Sequence, residues 1–192
     1  MNANRNTAIL TGVSTERAQM NSMRKTTAVA GVLYLLTFVS IPTLALYSSI
    51  HEPSYITRPG SDNAVIIGGI LEIIVALAGI CTAVVLYPVL KKQNEVVALG
   101  LVVSRVLEAS SIFIGIAFHL SVVPLRQAGA GSDALPTRHA LVALYEPIFL
   151  LGQSFMPSVN ELLLGFLLYQ SRLLPRVLSL IGVVGAVPLI AG

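Results

Sequence analysis

Five long apolar runs are the feature that most constrains this chain. They cover residues 27–47, 64–87, 96–123, 144–169 and 174–192. About 20 consecutive apolar residues make a helix long enough to cross the ~30 Å hydrocarbon core of a bilayer. Charged residues make up only 11% of the chain, against roughly 25% in a typical soluble domain. The sequence therefore predicts an all-α, polytopic transmembrane helical bundle of five spans and argues against a water-soluble globule.

The ends of the chain define its predicted domains. Residues 1–23 are polar and lack helical periodicity, so we expect a flexible cytoplasmic tail, with Met23 as an alternative start. Residues 24–192 are expected to form one transmembrane domain because no linker or internal repeat divides them. The first apolar run exceeds the 7–15 residues of a signal peptide and no clear cleavage site follows, which favours an uncleaved span. The last run stops at Gly192, so a sixth span is either absent or lies beyond it.

The basic residues are distributed unequally between the two sides of this predicted bundle. Eight of the twelve lie ahead of the first apolar run, at residues 1–26, and in the short turns at 88–95 and 171–176. Three lie in the longer loops at 48–63 and 124–139, and the last is within a span. Cytoplasmic loops carry the excess of Lys and Arg. We therefore expect a multi-pass protein of the cell (cytoplasmic) membrane with a cytoplasmic N-terminus.

Position in the sequence suggests surroundings for four tyrosines and for three polar residues of the longer loops. Four tyrosines lie at predicted helix ends, where an amphipathic ring prefers the membrane interface: Tyr47, Tyr87, Tyr145 and Tyr169. In the longer loops, His51, Arg138 and His139 lack metal-ligand spacing and are expected to be solvated.

Four ionisable residues inside the apolar runs are the main functional candidates: Glu72, Arg105, Glu108 and Glu161. Each costs roughly 2.5–3.5 kcal/mol at a helix centre on insertion scales, so such residues pair with one another or serve a function. Arg105 and Glu161 lie at similar depths and are expected to be able to pair. Glu108 follows Arg105 by one helical turn and can share its guanidinium. Helical periodicity places all four on stripes that face the bundle interior.

Two interpretations of this cluster follow. In the first, the charges neutralise one another and small residues beside them only seat the helices. In the second, three carboxylates against one guanidinium form a polar cavity for a proton or a small polar solute. His119, near the outer end of its run, is a candidate outer relay for protons, although a lone histidine there is more often only hydrogen-bonded.

The sequence contains no recognisable catalytic or metal-binding motif. We find no nucleophile elbow, zinc-protease helix, phosphate-binding loop or dinucleotide fingerprint. Cys81 is the only cysteine, which rules out an intramolecular disulfide and any multi-thiolate metal site. We therefore expect no enzyme activity, no metal and no cofactor. The scattered basic residues also argue against a nucleic-acid partner.

Several strings in order resemble the small bacterial integral membrane proteins of domain of unknown function 4386. They are residues 24–26 (RKT), 30–34 (AGVLY), 71–72 (LE), 76–79 (ALAG), 86–92 (LYPVLKK), 105–109 (RVLEA), 164–169 (LGFLLY), 171–172 (SR) and 175–176 (PR). The resemblance implies a multi-span bundle of about six helices and no known activity. The chain departs from this pattern in its 22-residue leader and its early end.

The sequence thus predicts a membrane protein that handles a proton or a polar solute at its interior cluster. The alternative is a structural or accessory protein that assembles with other membrane proteins or with a second copy of itself through small-residue helix faces. An intramembrane enzyme is the third and least supported class. In each case the lipid bilayer is the immediate partner.

Overall fold

The computed structural model describes residues 3–58, 60–129, 131–171 and 184–185. Every regular element in these ranges is helical. In chain order the α-helices are α1 (Ala3–Leu36), α2 (Thr43–Leu46), α3 (Ser48–His51), α4 (Ser54–Thr57), α5 (Asn63–Leu90), α6 (Glu95–Gln127), α7 (Leu135–Phe149) and α8 (Met156–Ser171). The predicted all-α class is therefore confirmed for this part of the chain.

Three helical stretches of the described chain are long and apolar enough to cross a membrane. They are α5, α6 and the run Gly131–Ser171, which joins a 3₁₀ turn to α7 and α8. Between α5 and α6, the Asn94 side chain accepts a hydrogen bond from the Val97 amide and so caps α6. The predicted fifth span, 174–192, lies outside the described residues except for 184–185. Within the described residues there are three candidate spans, and the expected number of five is not confirmed.

The predicted first span, 27–47, is not one continuous helix. α1 ends at Leu36, a 3₁₀ turn covers Thr37–Ser40, and α2 begins after Pro42. Proline has no amide hydrogen to offer the preceding turn, so an α-helix rarely continues through it. The sequence thus showed that this run is apolar, but it did not predict that the run is divided into several short elements.

α1 also differs from expectation at its other end. It begins at Ala3 and so includes most of residues 1–23, which were expected to form a flexible tail. The chain has no proline before residue 42, so every residue of this stretch can supply the amide hydrogen that an α-helix requires. A polar sequence without an apolar face can therefore still be helical.

The predicted fourth span, 144–169, is helical but contains a π turn at Leu150–Phe155, between α7 and α8. Pro157 follows within the first turn of α8 and cannot donate an amide hydrogen to the carbonyl four residues before it. A widened turn is one way in which a helix accommodates such a loss, and π turns recur at functional sites. This one carries Gln153.

The first longer loop, expected at 48–63, contains two single-turn helices, α3 and α4, and Asp62 connects α4 to the end of α6. Arg126 Nη1 and the Tyr55 hydroxyl donate to Asp62 Oδ1, each at 2.7 Å. Gln127 donates to Oδ2 at 3.1 Å. Burial and the bond to Asp62 raise the pKa of Tyr55 to about 12. Burial opposes ionisation of Asp62, but the hydrogen bonds and the Arg126 charge outweigh it and lower the pKa.

The second longer loop, expected at 124–139, is shorter than predicted because α6 continues to Gln127 and α7 begins at Leu135. Arg138 was expected to be solvated, and this is wrong: it is buried, with 5% of its surface exposed. Its Nε donates to the Ile50 carbonyl at 3.0 Å, and its Nη2 donates to the same oxygen. A buried guanidinium needs acceptors, and here the backbone of α3 supplies one.

The interior of the bundle is formed by the stripes that helical periodicity predicts. On α5 the buried residues include Gly68, Gly69, Glu72, Ala76, Gly79 and Ala83. On α6 they include Glu108, Gly115 and His119, and on α8 they include Ser158 and Gly165. A Cβ at Gly68 would lie only 2.7 Å from Tyr47 Cε1. Small residues therefore let the helices and Tyr47 approach α5 closely, and they bring Glu72 into the interior.

Candidate functional site

A cavity of about 370 Å³ is enclosed by residues of α1 and its 3₁₀ turn, α5, α6, the π turn and α8. Its polar lining consists of Tyr34, Thr37, Arg105, Glu108, Gln153 and Glu161. Three of the four ionisable residues singled out by the sequence thus meet here. We call this space the charged cavity.

Within the charged cavity, Arg105 and Glu108 form an ion pair. Arg105 Nη1 lies 2.8 Å from Glu108 Oε2, and each side chain is 12% exposed. The i, i+3 spacing on α6 gives this contact. Asn160, from α8, donates to the same carboxylate oxygen at 2.6 Å. Glu108 is therefore neutralised by a cation on its own helix and hydrogen-bonded across to α8.

Glu161 lines the same cavity without a partner of this kind. The ion pairs of the described chain join Arg105 to Glu108 and Arg126 to Asp62, so the expected pair between Arg105 and Glu161 is not formed. The carboxylate of Glu108 lies one turn away on the same helix, which gives it the shorter reach to the guanidinium. Glu161 is left half-buried and facing the cavity.

Glu72 belongs to a second cluster, at the level of α2 and α7. Only 1% of its surface is exposed. Oε2 accepts a hydrogen bond from the Tyr47 hydroxyl at 3.0 Å. Oε1 accepts from Gln153 Nε2 at 3.0 Å and from the Tyr145 hydroxyl at 3.4 Å. Every group that hydrogen-bonds this carboxyl is neutral. We call Glu72 with these three donors the Glu72 cluster.

Aromatic rings pack around the Glu72 cluster. The His119 ring is fully buried and stacks on the Tyr145 ring with 3.5 Å between centroids. Its centroid is 4.5 Å from that of Tyr47 and 5.8 Å from that of His51. Neither ring nitrogen of His119 has a hydrogen-bond partner among the described residues. A buried imidazole with unmet hydrogen-bonding capacity is unusual and calls for an explanation.

The Glu72 cluster separates two cavities. Gln153 lines the charged cavity on one side. On the other, Tyr47, His51, Tyr145 and Glu146 line a space of about 350 Å³, together with apolar side chains; we call it the tyrosine cavity. The donors to Glu72 thus form part of the lining of both spaces, and Glu72 itself lines neither.

Sequence reasoning found the four charged residues but missed most of their partners. The prediction that Tyr47 and Tyr145 lie at the membrane interface did not anticipate that they are 1% and 6% exposed and bind Glu72. Gln153 and Asn160 were not considered. Uncharged amides inside an apolar run also need a partner, so the argument that singled out the glutamates applies to them too.

The chemistry available at both clusters is that of charge and hydrogen bonding. Carboxyl, guanidinium, amide and hydroxyl groups can hold a proton, an ammonium group or a polar solute. Among the described residues no group of three or more His, Cys, Asp or Glu side chains is arranged to hold a metal ion.

Comparison with known proteins places the chain in one family. No curated protein and no solved structure matches it. A family model described as a domain of unknown function (DUF4386) matches residues 29–192, which include every residue of the charged cavity and of the Glu72 cluster. The chain therefore belongs to the DUF4386 family.

Proposed function

We propose that this protein is a multi-pass cell-membrane protein, with a cytoplasmic N-terminus, that binds a small polar solute in the charged cavity and transports it. The observation that carries the proposal is a space of about 370 Å³ walled by Arg105, Glu108 and Glu161 between apolar helices. Sites for small molecules span roughly 300–1,000 Å³, so the volume suits a small solute. Ionisable residues within apolar spans usually mark a solute or ion pathway.

Irregular backbone around the charged cavity supports the same proposal. Thr37 and Phe38 line it from the 3₁₀ turn after α1, and Gln153 lines it from the π turn before α8. At membrane depth, non-α backbone is tolerated where it is buried in protein or lines a cavity. Broken helices around a central site are also a common feature of secondary transporters.

The charges on the walls indicate the class of solute. Arg105 and Glu108 neutralise each other, so Arg105 attracts the Glu161 carboxylate only from beyond ion-pair distance, and the cavity lining keeps one negative charge in excess. A solute with an ammonium group would pair with Glu161 and remove this imbalance. A second, acidic group on the solute could share Arg105, whose guanidinium has five donors. We therefore expect a small amine or zwitterion.

The test is equilibrium binding of radiolabelled small amines, zwitterions and carboxylates to the purified protein in detergent. Glu161→Gln is expected to reduce binding of the preferred amine at least tenfold and to leave thermal stability nearly unchanged, because Glu161 makes no ion pair in the described chain. Glu95→Gln is the matched control, since Glu95 lies exposed at the start of α6. Equal binding by wild type and Glu161→Gln would contradict the proposal.

The second candidate is a structural or accessory protein that assembles with membrane proteins, without catalytic activity. It is favoured by the Arg105–Glu108–Asn160 contact, which joins α6 to α8 as a packing device does. In that case no solute binds, and substitutions at Arg105 or Glu108 change stability or assembly only. Binding and stability measured on the same variants separate the two candidates.

A further inference from the structure

The Glu72 carboxyl has full hydrogen bonding but no charge compensation. It forms no ion pair among the described residues, and its donors are two hydroxyls and an amide. Burying a carboxylate without a cation is costly, and the usual remedies are a paired cation or a bound proton. Because the described structure supplies no cation at Glu72, a proton is the simplest neutralising ligand.

The position of Glu72 gives such a proton a route. Tyr47 lines the tyrosine cavity and donates to Glu72 Oε2 at 3.0 Å. A hydroxyl in this position can pass its own hydrogen to the carboxylate while its oxygen takes another from hydronium on the cavity side. One O–H bond then breaks on the tyrosine as one forms on Glu72, and a hydronium ion becomes water. Tyr145 has the same relation to Oε1 at 3.4 Å.

His119 provides a second, independent sign of proton chemistry beside these tyrosines. Its ring is fully buried against both of them, and both nitrogens lack a partner among the described residues. A neutral imidazole carries one donor and one acceptor, so it can accept a proton and release another. His51, which is exposed and lies 5.8 Å away, continues the line of rings toward the surface.

We propose that Glu72 is a proton-binding site that exchanges with the tyrosine cavity through Tyr47 and Tyr145, and that its protonation state controls Gln153 at the charged cavity. An ionised Glu72 holds the Gln153 amide by accepting its hydrogen bond. A protonated Glu72 is a weaker acceptor than the carboxylate, so the Gln153 amide, which donates to Oε1, is held less tightly and can turn toward the charged cavity. The control of Gln153 by Glu72 protonation rests on the proposed solute binding in the charged cavity, whereas proton binding at Glu72 does not.

A proton fits this site better than a metal cation does. Tyr47, Tyr145 and Gln153 all direct hydrogens at the carboxylate. Sodium or a divalent ion needs several oxygen lone pairs pointing inward, and here the donors' hydrogens occupy those directions. A cation would require all three groups to turn around.

Other titratable and charged groups surround the cluster from every packed element. Facing it from the tyrosine cavity and its border are Tyr47, His51, His119, Tyr145 and Glu146; facing it from the charged cavity, beyond Gln153, are Tyr34, Arg105, Glu108 and Glu161. Any pH dependence must therefore be assigned to Glu72 by substitution and by a signal specific to carboxyl groups.

The experiment is infrared spectroscopy of the purified full-length protein across pH, following the carbonyl stretch of a protonated carboxyl group. We expect a titrating band that is absent in Glu72→Gln and unchanged in the control Glu95→Gln, whose carboxyl lies exposed at the start of α6 and lines neither cavity. In Glu72→Asp, which keeps a carboxyl group, the band should persist at a shifted frequency. This third variant keeps the test decisive if Glu72→Gln does not fold.

The rate at which the Glu72 carboxyl exchanges its proton for deuterium in heavy water tests the proposed route through the tyrosines. Tyr47→Phe is expected to slow deuteration of the Glu72 carboxyl at least tenfold, and Tyr34→Phe should leave it unchanged. The proposal is overturned if the titrating carboxyl band persists in Glu72→Gln. It is also overturned if sodium abolishes the band at constant pH, because that result would indicate a metal-cation site. No solute is present in this experiment, so its failure is distinguishable from failure of the proposed solute binding.

Discussion

Glu72 and Glu108 are both buried acids on neighbouring helices, yet their surroundings differ in kind. Glu108 accepts from the Arg105 guanidinium and from Asn160. Glu72 accepts from two tyrosine hydroxyls and the Gln153 amide. Glu108 is therefore paired with a charged side chain, whereas Glu72 is hydrogen-bonded only by neutral groups.

This difference separates two roles for a charge in the apolar interior of a helical bundle. A carboxylate held by a guanidinium loses its attraction to that cation when it is protonated, so Glu108 is suited to a constant state. A carboxylate held by neutral donors can be neutralised by a proton without breaking an ion pair. The Arg105 contact therefore contributes to the wall of the charged cavity, whereas Glu72 can change state.

The largest expected effect comes from removing the cation of the pair. Arg105→Gln leaves Glu108 as an uncompensated buried charge, and breaking a buried pair in this way costs about 3–5 kcal/mol. The free energy of unfolding in mixed detergent micelles measures this loss. The double variant Arg105→Gln with Glu108→Gln should recover most of it. If the single variant is as stable as wild type, the contrast between the two acids is wrong.

The next effect tests the neutral donors of Glu72. Tyr47→Phe keeps the buried ring but removes the donor at 3.0 Å, and we expect a loss of about 1.5–3 kcal/mol, as for hydrogen bonds to charged groups. Tyr34→Phe, at a ring that is 38% exposed, serves as control and should change little. A loss at Tyr47 near 0.5 kcal/mol would indicate that Glu72 is already neutral when its donor is removed.

A third substitution tests how the π turn places Gln153 against Glu72. A Cβ at Gly152 would lie 2.8 Å from Ser111 Cβ, which cannot rotate away. Gly152→Ala must therefore push the π turn off α6, at a cost of about 1–3 kcal/mol. Gly100→Ala is the control: nothing lies within 4 Å of its added Cβ, and the better helix propensity of alanine should stabilise by up to about 1 kcal/mol. Equal effects at both glycines would remove the argument for close packing.

The smallest effect concerns a third acid, Asp62, outside the spans. Its pKa is lowered on folding, so its contribution to stability is complete above the ordinary value of 3.8 and disappears as pH falls through the lower folded-state value. Asp62→Asn should therefore cost about 1 kcal/mol or less at neutral pH, and the difference from wild type should vanish in acid. The exposed Asp133, changed to Asn, should show neither effect.

Much of the arrangement was predictable from helical periodicity. The stripe on α5 that contains Glu72 and Ala76 is buried as expected, because apolar and small positions recur at helical spacing whatever the neighbours are. The i, i+3 relation of Arg105 and Glu108 likewise needs only one helix. The family resemblance quoted from short strings also agrees with the match over residues 29–192.

What the sequence could not give depends on contacts between segments far apart in the chain. Tyr47 and Tyr145 reach Glu72 across 25 and 73 residues, and a position near a predicted helix end is equally consistent with the membrane interface. The sequence also did not predict the break after Leu36 or the π turn before Met156, because apolar composition does not depend on local backbone geometry.

The sequence by itself determined the helical class, the apolar stretches and the buried faces, because these follow from side-chain periodicity and from the cost of exposing charge to lipid. Only the tertiary structure decided which buried acid received a cation and which received neutral donors. That choice depends on distances of a few ångströms between groups on different helices, and one-dimensional spacing does not encode them.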